Sequence, residues 1–398
     1  MTSDKILLQY YAELKEELAN ILQYWMKYTI DNNHGGFYGK VDNENTIHYD
    51  APKGAVLNAR ILWTFSAAYN LTQKNEYLNI ADRAYQYICS HFIDHEFQGI
   101  YWTINYKGQH LDTKKQIYAQ AFLLYASSEY YKCKQNKKVL EFSKNIYYLI
   151  ESNSYDAKSN GYWEAFSREW KPLDDVRLSE KDANEKKTMN TNLHVLEAYA
   201  ALYKIWPSVE LEKSITNLLQ VFVDQVINAS TNHLDLFFTD DWQSTKHIVS
   251  YGHDIEAGWL IQEAAEAIAD DGWIDRSKKA ALQLTLAAME GLDNDGGLWY
   301  ENENNHLIKQ KHWWPQAEAM VGFFNCWQFT KDNSFLEKSL SSWNFIKNKM
   351  IDKENGEWFW GIDENDLPMK NEDKVGLWKC PYHNARACME IMTRIKKS

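Results

Sequence analysis

Three histidines that could transfer protons stand in separate segments of the sequence, at His194, His253 and His383. A neutral imidazole accepts a proton near pH 7 and an imidazolium donates one, so two rings on opposite sides of a substrate carbon could move a proton across it. Two other roles stay open, a metal site and hydrogen-bonded core histidines. No HxH, HxxxH or HExxH spacing joins the three, and no CxxC pair occurs. Acid–base catalysis is the favoured interpretation.

Polar residues accompany these histidines at helical spacing. Glu256 follows His253 by three positions and Asn190 precedes His194 by four, so each pair lies on one face of a helix. Glu256 is therefore expected to orient the His253 ring, unless it makes a purely structural hydrogen bond. Other polar groups stand near the starts of other predicted helices: Arg60, Tyr118, Glu318 and Arg386.

The aromatic content points to a ligand with apolar faces and many hydroxyls. The chain has 17 Trp and 25 Tyr, and such side chains stack on sugar rings while their N–H and O–H groups bind hydroxyls. Trp313, Trp314 and Trp378 stand at the starts of predicted helices, where aromatic core filler is less expected. A carbohydrate site is favoured over aromatic packing alone.

A glycine followed by aromatic residues recurs along the chain at intervals of about 60 to 70 residues, and a period of this kind indicates one structural unit used repeatedly. The fourth copy, HLDLFF, lacks the glycine. The six copies occupy residues 34–39, 98–102, 160–166, 233–238, 296–301 and 355–361.

Two amphipathic segments of helical length separate consecutive copies, which predicts an all-α protein of six helical hairpins. A closed ring of these hairpins is an (α/α)6 barrel, and an open solenoid is the alternative. The glycine-aromatic copies are expected to form short β-hairpin-like turns on one rim, where they line the site. The predicted helices span 4–30, 53–71, 75–93, 113–133, 136–152, 187–205, 209–229, 253–270, 275–292, 312–331, 333–351 and 381–396.

Bulk properties favour one catalytic domain over residues 1–398, since the repeat continues without a Pro-, Gly- or Ser-rich linker. The formal charge of −12 disfavours nucleic-acid binding. The absence of a long apolar run or a signal sequence predicts a cytoplasmic protein without a membrane partner, and we expect a monomer or at most a weak dimer. The five scattered cysteines are expected to be thiols.

Five sequence strings resemble the cellobiose 2-epimerases, a branch of the N-acylglucosamine 2-epimerase superfamily. The resemblance extends over nearly the whole chain and preserves the order and spacing of the strings. They are KGAVLNARILWTFSAAY at 53–69, MNTNLHVLEAYA at 189–200, SYGHDIEAGWL at 250–260, WWPQAEAMVGF at 313–323 and GLWKCPYHNARACMEI at 376–391.

The resemblance implies an (α/α)6 barrel that converts glucose to mannose at the reducing end of β-1,4-linked disaccharides such as cellobiose and lactose, without a metal or nucleotide cofactor. It implies that His253 and His383 are the acid–base pair at C2 and that His194 assists ring opening. Asp182 matches a further sugar-contacting position and Trp378 an aromatic platform. Positions that hold the open-chain sugar or the intermediate fall on Arg60, Tyr118, Asn190, Glu256 and Trp314.

Other activities remain as alternatives. N-acylglucosamine 2-epimerases and aldose–ketose isomerases such as mannose isomerase resemble this chain in the histidine framework, but SYGHDIEA favours the disaccharide branch. A glycoside hydrolase on the same barrel would use Glu256 and Glu318 as its two carboxylates. A non-catalytic sugar-binding protein would need the tryptophans but not the histidines.

Overall fold

The computed structural model describes residues 3–397, which form twelve α-helices joined by short strands and turns. π-helical turns at Phe222–Val226 and Ile346–Met350 extend α7 and α11, and a 3₁₀ turn at Met289–Gly291 follows α9. The helices are α1 (Ser3–Tyr28), α2 (Ala55–Thr72), α3 (Asn75–His91), α4 (Ile117–Lys134), α5 (Lys137–Ser154), α6 (Met189–Tyr203), α7 (Val209–Val221), α8 (Tyr251–Ile268), α9 (Asp271–Ala288), α10 (Trp313–Thr330), α11 (Asn333–Phe345) and α12 (Tyr382–Lys397).

The even-numbered helices form an inner ring that closes on itself. Each packs against the next, from α2 through α4, α6, α8 and α10 to α12, and α12 packs back against α2. Each odd-numbered helix from α3 to α11 packs outside the inner helix that precedes it, while α1 packs on α12. The predicted (α/α)6 barrel is confirmed, and the contact between α12 and α2 excludes the open solenoid.

Inner and outer helices differ in burial as their sequences predict. In α4 almost every residue from Ile117 to Ser128 is buried, whereas α3 buries one stripe that includes Tyr77, Ala81, Ala84 and Ile88. No helix in the described part of the chain is long and apolar enough to cross a membrane.

The turns from inner to outer helices are short because single residues adopt left-handed conformations there. Gln73, Gln135, Ala269 and Lys331 have φ between 49° and 61° and end α2, α4, α8 and α10. The side chains of Asn136, Asp270 and Asp332 then cap the following outer helices.

The opposite rim carries the glycine-aromatic copies as small antiparallel hairpins. A strand that precedes an inner helix pairs with the hairpin of the following repeat, for example β1 with β2 and β4 with β5. A bridge between Val41 and Val375 joins the first and last repeats. The strands are β1 (Lys53–Gly54), β2 (Thr103–Ile104), β3 (His110–Asp112), β4 (Lys115–Gln116), β5 (Ala165–Phe166), β6 (Lys187–Thr188), β7 (Phe237–Phe238), β8 (Ile248–Ser250), β9 (Glu301–Glu303), β10 (His306–Ile308), β11 (Lys311–His312) and β12 (Gly361–Ile362).

These strands correct the predicted starts of four helices, because α2, α4, α6 and α10 begin one to four residues after the predicted positions 53, 113, 187 and 312. The prediction starts the fourth helix at residue 113, but α4 begins at Ile117 because Lys115 and Gln116 pair with Phe166 and Ala165. The hydrogen bonds of this extended segment lie across the rim rather than along a helix.

Side-chain amides from the inner helices fasten the hairpins to the barrel. The Gln120 amide binds both the N–H (3.0 Å) and the C=O (3.1 Å) of Ile100, and Asn192 does the same for Tyr162. A Cβ on Gly99 or Gly161 would lie 3.0 Å from these amide oxygens. The φ angles of the two glycines are 70° and 77°. The close amide contact and the positive φ explain the recurring glycine.

Buried ion pairs reinforce the same rim. A lysine that precedes an inner helix reaches back to an aspartate in the hairpin turn, and removal of either charge would weaken this connection. The pairs are Lys53–Asp31, Lys115–Asp94, Lys187–Asp156, Lys311–Asp293 and Lys374–Asp352, with N–O distances of 2.6–2.9 Å.

Substitution of Gln120 by Leu is expected to lower the stability of the barrel. The backbone N–H and C=O of Ile100 would lose their buried partner, at a cost of about 1–3 kcal/mol. Urea unfolding of Gln120→Leu measures the loss. The control is Gln86→Leu on the exposed face of α3, which should change stability by less than about 0.5 kcal/mol. Equal losses in the two variants would contradict a fastening role for Gln120.

Candidate active site

The inner helices all begin at the hairpin rim, so their N-termini converge at one end of the barrel. Partial positive charge at helix N-termini disfavours protonation of nearby imidazoles and favours developing anions. First-turn residues of five inner helices are candidate site residues: Tyr118 of α4, Asn190 of α6, His253 of α8, Trp314 of α10 and His383 of α12.

The His383 ring is fixed by a buried carboxylate. Nδ1 lies 2.7 Å from Oε1 of Glu318 and 3.9 Å from Oε1 of Glu256. Because an ionised carboxylate only accepts hydrogen bonds, Nδ1 carries the hydrogen and Nε2 keeps its lone pair. Burial, together with the charges of Arg60 and Arg386, lowers the pKa of His383 well below 6.5. His383 is therefore a neutral potential base.

His194, on α6 across the inner ring from α12, has a similar arrangement. Its Nδ1 lies 2.8 Å from Oε2 of Glu197, three residues later on the same helix. The ring packs against Tyr118 and Phe122 at centroid distances of 5.0 and 4.7 Å. Burial lowers the pKa of His194, although the bond to Glu197 opposes this shift. The His194 ring is therefore also neutral, and its Nε2 keeps a free lone pair.

His253 has no carboxylate partner. Its Nδ1 lies 2.8 Å from Oγ of Ser250, and its ring contacts that of Trp314 at 4.6 Å. Burial lowers its pKa to about 3. The expectation that Glu256 orients His253 is wrong, because Glu256 lies one turn deeper, where Arg386 binds it.

A single guanidinium joins the carboxylates that lie below the histidines. Nη2 of Arg386 donates to Oε1 of Glu256 and to Oε1 of Glu318, each at 2.7 Å. Nη1 donates to Oε1 of Glu197, and the same oxygen accepts from the Tyr382 hydroxyl at 2.6 Å. Four inner helices meet in this cluster, which we call the Arg386 network: Arg386 and Tyr382 of α12, Glu197 of α6, Glu256 of α8 and Glu318 of α10.

The three carboxylates of the Arg386 network do not share the same charge state. Burial would raise the pKa of Glu197, but Arg386 and His194 lower it to about 2. Burial and the neighbouring Glu318 raise the pKa of Glu256 to about 8, and burial also raises that of Glu318. At neutral pH Glu197 is ionised and the pair of Glu256 and Glu318 retains a proton, so Arg386 does not face three full negative charges.

Arg60 supplies a permanent positive charge near the rim. Its Nη2 donates to the Tyr118 hydroxyl at 2.8 Å, and its guanidinium lies 4.2 Å from the Phe122 ring and 4.9 Å from the Tyr382 ring. Its Nε is buried without a hydrogen-bond partner among residues 3–397. Arg60 and Tyr118 can therefore both donate toward an anionic oxygen.

The tryptophans have different surroundings. Trp314 is half-buried and its ring contacts both His253 (4.6 Å) and His383 (5.9 Å), so it joins the two imidazoles on one wall. Trp313 is buried, and its ring centroid lies 4.6 Å from that of Trp360, so it packs within the wall of the site. Trp378 is half-buried beside Trp102 (5.7 Å), which the sequence interpretation did not single out.

Two further candidate residues lie at the edge of the histidine group. Asn190 is half-buried, and its Oδ1 has no hydrogen-bond partner within the described chain, as expected of an atom available to a ligand. Asp182 lies in the loop between β5 and β6, where its carboxylate accepts from the Ser179 N–H at 2.8 Å. Burial raises the pKa of Asp182. The structure does not bring Asp182 into hydrogen-bond contact with the three histidines.

Glu256 and Glu318, both of which the sequence predicts to bind substrate, are at most 1% exposed and accept hydrogen bonds from Arg386. Sequence reasoning noticed Arg386 but missed Glu197 and Ser250. The spacing of His194 and Glu197, identical to that of His253 and Glu256, was the available signal for Glu197.

One group of ligand atoms in residues 3–397 could in principle hold a cation. Atoms of Glu256, Glu318 and His383 lie within 4.8 Å of one another. The same carboxylate oxygens bind the Arg386 guanidinium, so a cation would face a permanent positive charge at contact distance. The donor set therefore suits the arginine better than a metal ion.

The opposite end of the barrel contains a charged cavity of about 840 Å³. It is lined by the C-terminal halves of the inner helices, and its acids and bases pair with each other, as in Lys132–Glu129 and Lys204–Glu263. Glu197 belongs to this lining and also to the Arg386 network. The network thus separates the histidine end from the charged end.

Comparisons with known proteins by sequence and by structure agree on one family. The model of the N-acylglucosamine 2-epimerase (GlcNAc 2-epimerase) family matches residues 35–387. A cellobiose 2-epimerase of Bacteroides fragilis is 46% identical over 98% of this chain and 99% of its own length. Among solved structures, the cellobiose 2-epimerase of Bacillus thermoamylovorans B4167 superposes with a TM-score of 0.92 at 40% identity, covering 97% of this chain and 99% of that chain. A sugar epimerase from a ruminal bacterium superposes with a TM-score of 0.93 at 37% identity, covering 96% and 98%.

The charge states in the Arg386 network predict opposite behaviour for two isosteric substitutions. Glu197→Gln removes an ionised partner of Arg386 and should destabilise the protein by about 3–5 kcal/mol at neutral pH. Glu256→Gln mimics the protonated acid and should cost much less. Thermal and urea unfolding of both variants at pH 7 measure the difference.

The pH dependence of Glu256→Gln supplies the control. Because the folded pKa of Glu256 is raised to about 8, its contribution to stability is complete below the unfolded pKa of 4.5 and is lost as pH rises through about 8. Because the glutamine of Glu256→Gln does not ionise, the free energy of unfolding of this variant relative to that of the wild type should increase from pH 5 to pH 8. An ionised Glu256 at pH 7 would make Glu256→Gln about as destabilising as Glu197→Gln and would contradict this assignment.

Proposed function

The chain belongs to the N-acylglucosamine 2-epimerase family, and we propose that it is an isomerase that inverts C2 of the reducing-end glucose in β-1,4-linked disaccharides such as cellobiose and lactose. The products are glucosyl-mannose and epilactose. The observation that carries this proposal is the group of three neutral imidazoles at the convergent helix N-termini, of which His194 and His383 are buried and His253 is half-buried. The 46% identity to a cellobiose 2-epimerase over nearly both chains supports the disaccharide substrate.

The first step opens the sugar ring, because the hydrogen on C2 is acidic only when C1 is an aldehyde. Ring opening requires a proton at O5 and removal of the proton from the O1 hydroxyl. His194 is the group proposed to assist: its Nε2 takes the O1 proton, and the imidazolium, stabilised by Glu197, then gives that proton to O5. Asn190, four residues earlier on α6, is proposed to bind a sugar hydroxyl through its unpartnered Oδ1.

The second step removes the C2 proton and gives a cis-enediolate. His383 or His253 takes the proton at Nε2, the C2–H electron pair forms the C1–C2 double bond, and negative charge moves to O1. Arg60, the Tyr118 hydroxyl and the helix N-termini are proposed to stabilise that charge, which develops in a water-poor site. A base that is already neutral needs no prior deprotonation.

The third step returns a proton to C2 from the opposite face. Two routes balance: the imidazolium formed in the second step returns its proton after rotation about C2–C3, or the second histidine, first protonated from solvent, delivers a proton from the other face while the first ring keeps the proton it took. The common contact of His253 and His383 with Trp314 supports a role for both rings at one carbon. Trp378 and Trp102 are proposed to stack against the rest of the disaccharide.

The same site geometry weighs against hydrolysis. A glycoside hydrolase needs two carboxylates that flank the scissile bond. Glu256 and Glu318 share one nitrogen of Arg386 in the buried network, so neither is free to protonate a leaving group. N-acylglucosamine epimerisation and mannose isomerisation use related proton transfers. Comparison of turnover with cellobiose, N-acetylglucosamine and mannose distinguishes these activities from the proposed one.

The proposal includes a cytoplasmic location and a monomeric or weakly dimeric state. All five cysteines are unpaired, as is usual in a reducing compartment. Size-exclusion chromatography with light scattering tests the oligomeric state.

Incubation of chelator-treated protein with cellobiose in D2O, followed by NMR of the products, tests the function. We expect 4-O-β-glucosyl-mannose with deuterium at C2. Free glucose would indicate hydrolysis and contradict the proposal. An unchanged disaccharide together with turnover of N-acetylglucosamine or mannose would assign one of the alternative activities instead.

Substitution of either proposed acid–base histidine should abolish turnover while leaving sugar binding. His253→Asn and His383→Asn should each lower kcat by about 100- to 10,000-fold. Cellobiose titration by calorimetry should still detect binding. The control is His95→Asn on the surface, which should match the wild type. Full activity in both active-site variants would contradict the acid–base roles of His253 and His383.

The low histidine pKa values predict the acid side of the pH profile. A base whose pKa is lowered stays deprotonated as pH falls, so kcat/KM for cellobiose should persist well below pH 6.5. Steady-state rates from pH 4 to pH 8, with folding checked by circular dichroism, measure the profile. Half-maximal activity near pH 6.5 would show that burial does not control these imidazoles.

A further inference from the structure

Ser250 stands at the N-cap of α8 but does not cap the helix. Serine at this position ordinarily accepts a hydrogen bond from a backbone N–H in the first helical turn. The side chains of Thr188 at the start of α6 and Ser208 at the start of α7 do so. The Ser250 side chain makes no such bond, and its Oγ lies 2.8 Å from Nδ1 of His253 instead.

The same serine is fully buried and fixed by the rim. It is 0% exposed and belongs to β8, where its backbone pairs with Glu301 of β9. The hydroxyl holds the His253 ring by a part-buried hydrogen bond of 2.8 Å. The sheet between β8 and β9 thus determines where the imidazole lies.

The partner of His253 differs from those of the other two histidines. His194 and His383 donate to Glu197 and Glu318, whereas His253 meets an uncharged hydroxyl. The other titratable groups that act on His253 are His194 from α6 and Glu318 from α10, and Trp314 covers its ring. Ser250 can orient this ring without stabilising its protonated form by a full charge.

We propose that Ser250 is a positioning residue for His253: its hydroxyl gives up helix capping to fix the imidazole toward the substrate without placing a negative charge beside it. This inference rests on the proposed epimerase function. A carboxylate at residue 250 would favour the imidazolium, so less of the neutral ring would be available as a base as pH falls. An apolar residue there would leave the ring free to turn away from C2.

Two substitutions separate orientation from charge. Ser250→Ala removes the hydrogen bond, and we expect kcat for cellobiose to fall about 10- to 100-fold with KM changed less than about threefold, because a misplaced proton-transfer group slows chemistry more than binding. Ser250→Asp retains an acceptor but adds charge. We expect it to shift the acid limb of the kcat profile upward by about one pH unit or more.

Ser208→Ala is the matched control, since it removes a true N-cap from an outer helix. It should lower Tm by about 1–2 °C and leave kcat and the pH profile unchanged. Ser250→Ala with wild-type kcat, or with kcat and KM worsened equally, would overturn the proposal. If Ser250→Ala does not fold, an unshifted acid limb in Ser250→Asp overturns it. Failure of the wild type to epimerise cellobiose would instead refute the proposed function.

Discussion

The central constraint on this barrel is one buried guanidinium shared by three carboxylates from neighbouring inner helices. Arg386 is 1% exposed, and its removal would leave Glu197 as an uncompensated charge among apolar helices. The same carboxylates bind Nδ1 of His194 and His383. The interaction that ties α6, α8, α10 and α12 together therefore also sets the orientation and tautomer of two histidines, so that stability and chemistry depend on the same atoms.

The site has two layers along the barrel axis. First-turn residues at the rim, such as His253 and His383, can reach a substrate, and the Arg386 network lies one or two turns deeper. Hairpins fastened by amides and buried lysines fix the rim from outside. Because the layers are joined by helices of 15 to 18 residues, a change in the network is transmitted to the rim as a small movement of a rigid element rather than as local disorder.

The repeat made the fold predictable from sequence, because helix periodicity, turns and glycine positions are local properties that recur in each unit. The histidines could be grouped for the same reason, since they occupy corresponding places near the starts of inner helices. The hydrogen-bond partners could not be predicted. Spacing alone paired His253 with Glu256, but Arg386, 130 residues later, binds that carboxylate, and Ser250 binds the ring. Partners chosen by a distant charge leave no signal in local spacing.

The most direct test of this account is ¹⁵N NMR of the full-length protein labelled at histidine, with resonances assigned by single His→Asn variants, at pH 6.5. The account predicts neutral rings for His194, His253 and His383, with the hydrogen on Nδ1 of His194 and His383 and a free lone pair at Nε2. Imidazolium shifts for His383, or a hydrogen on its Nε2, would contradict the claim that the buried network prepares these histidines as bases.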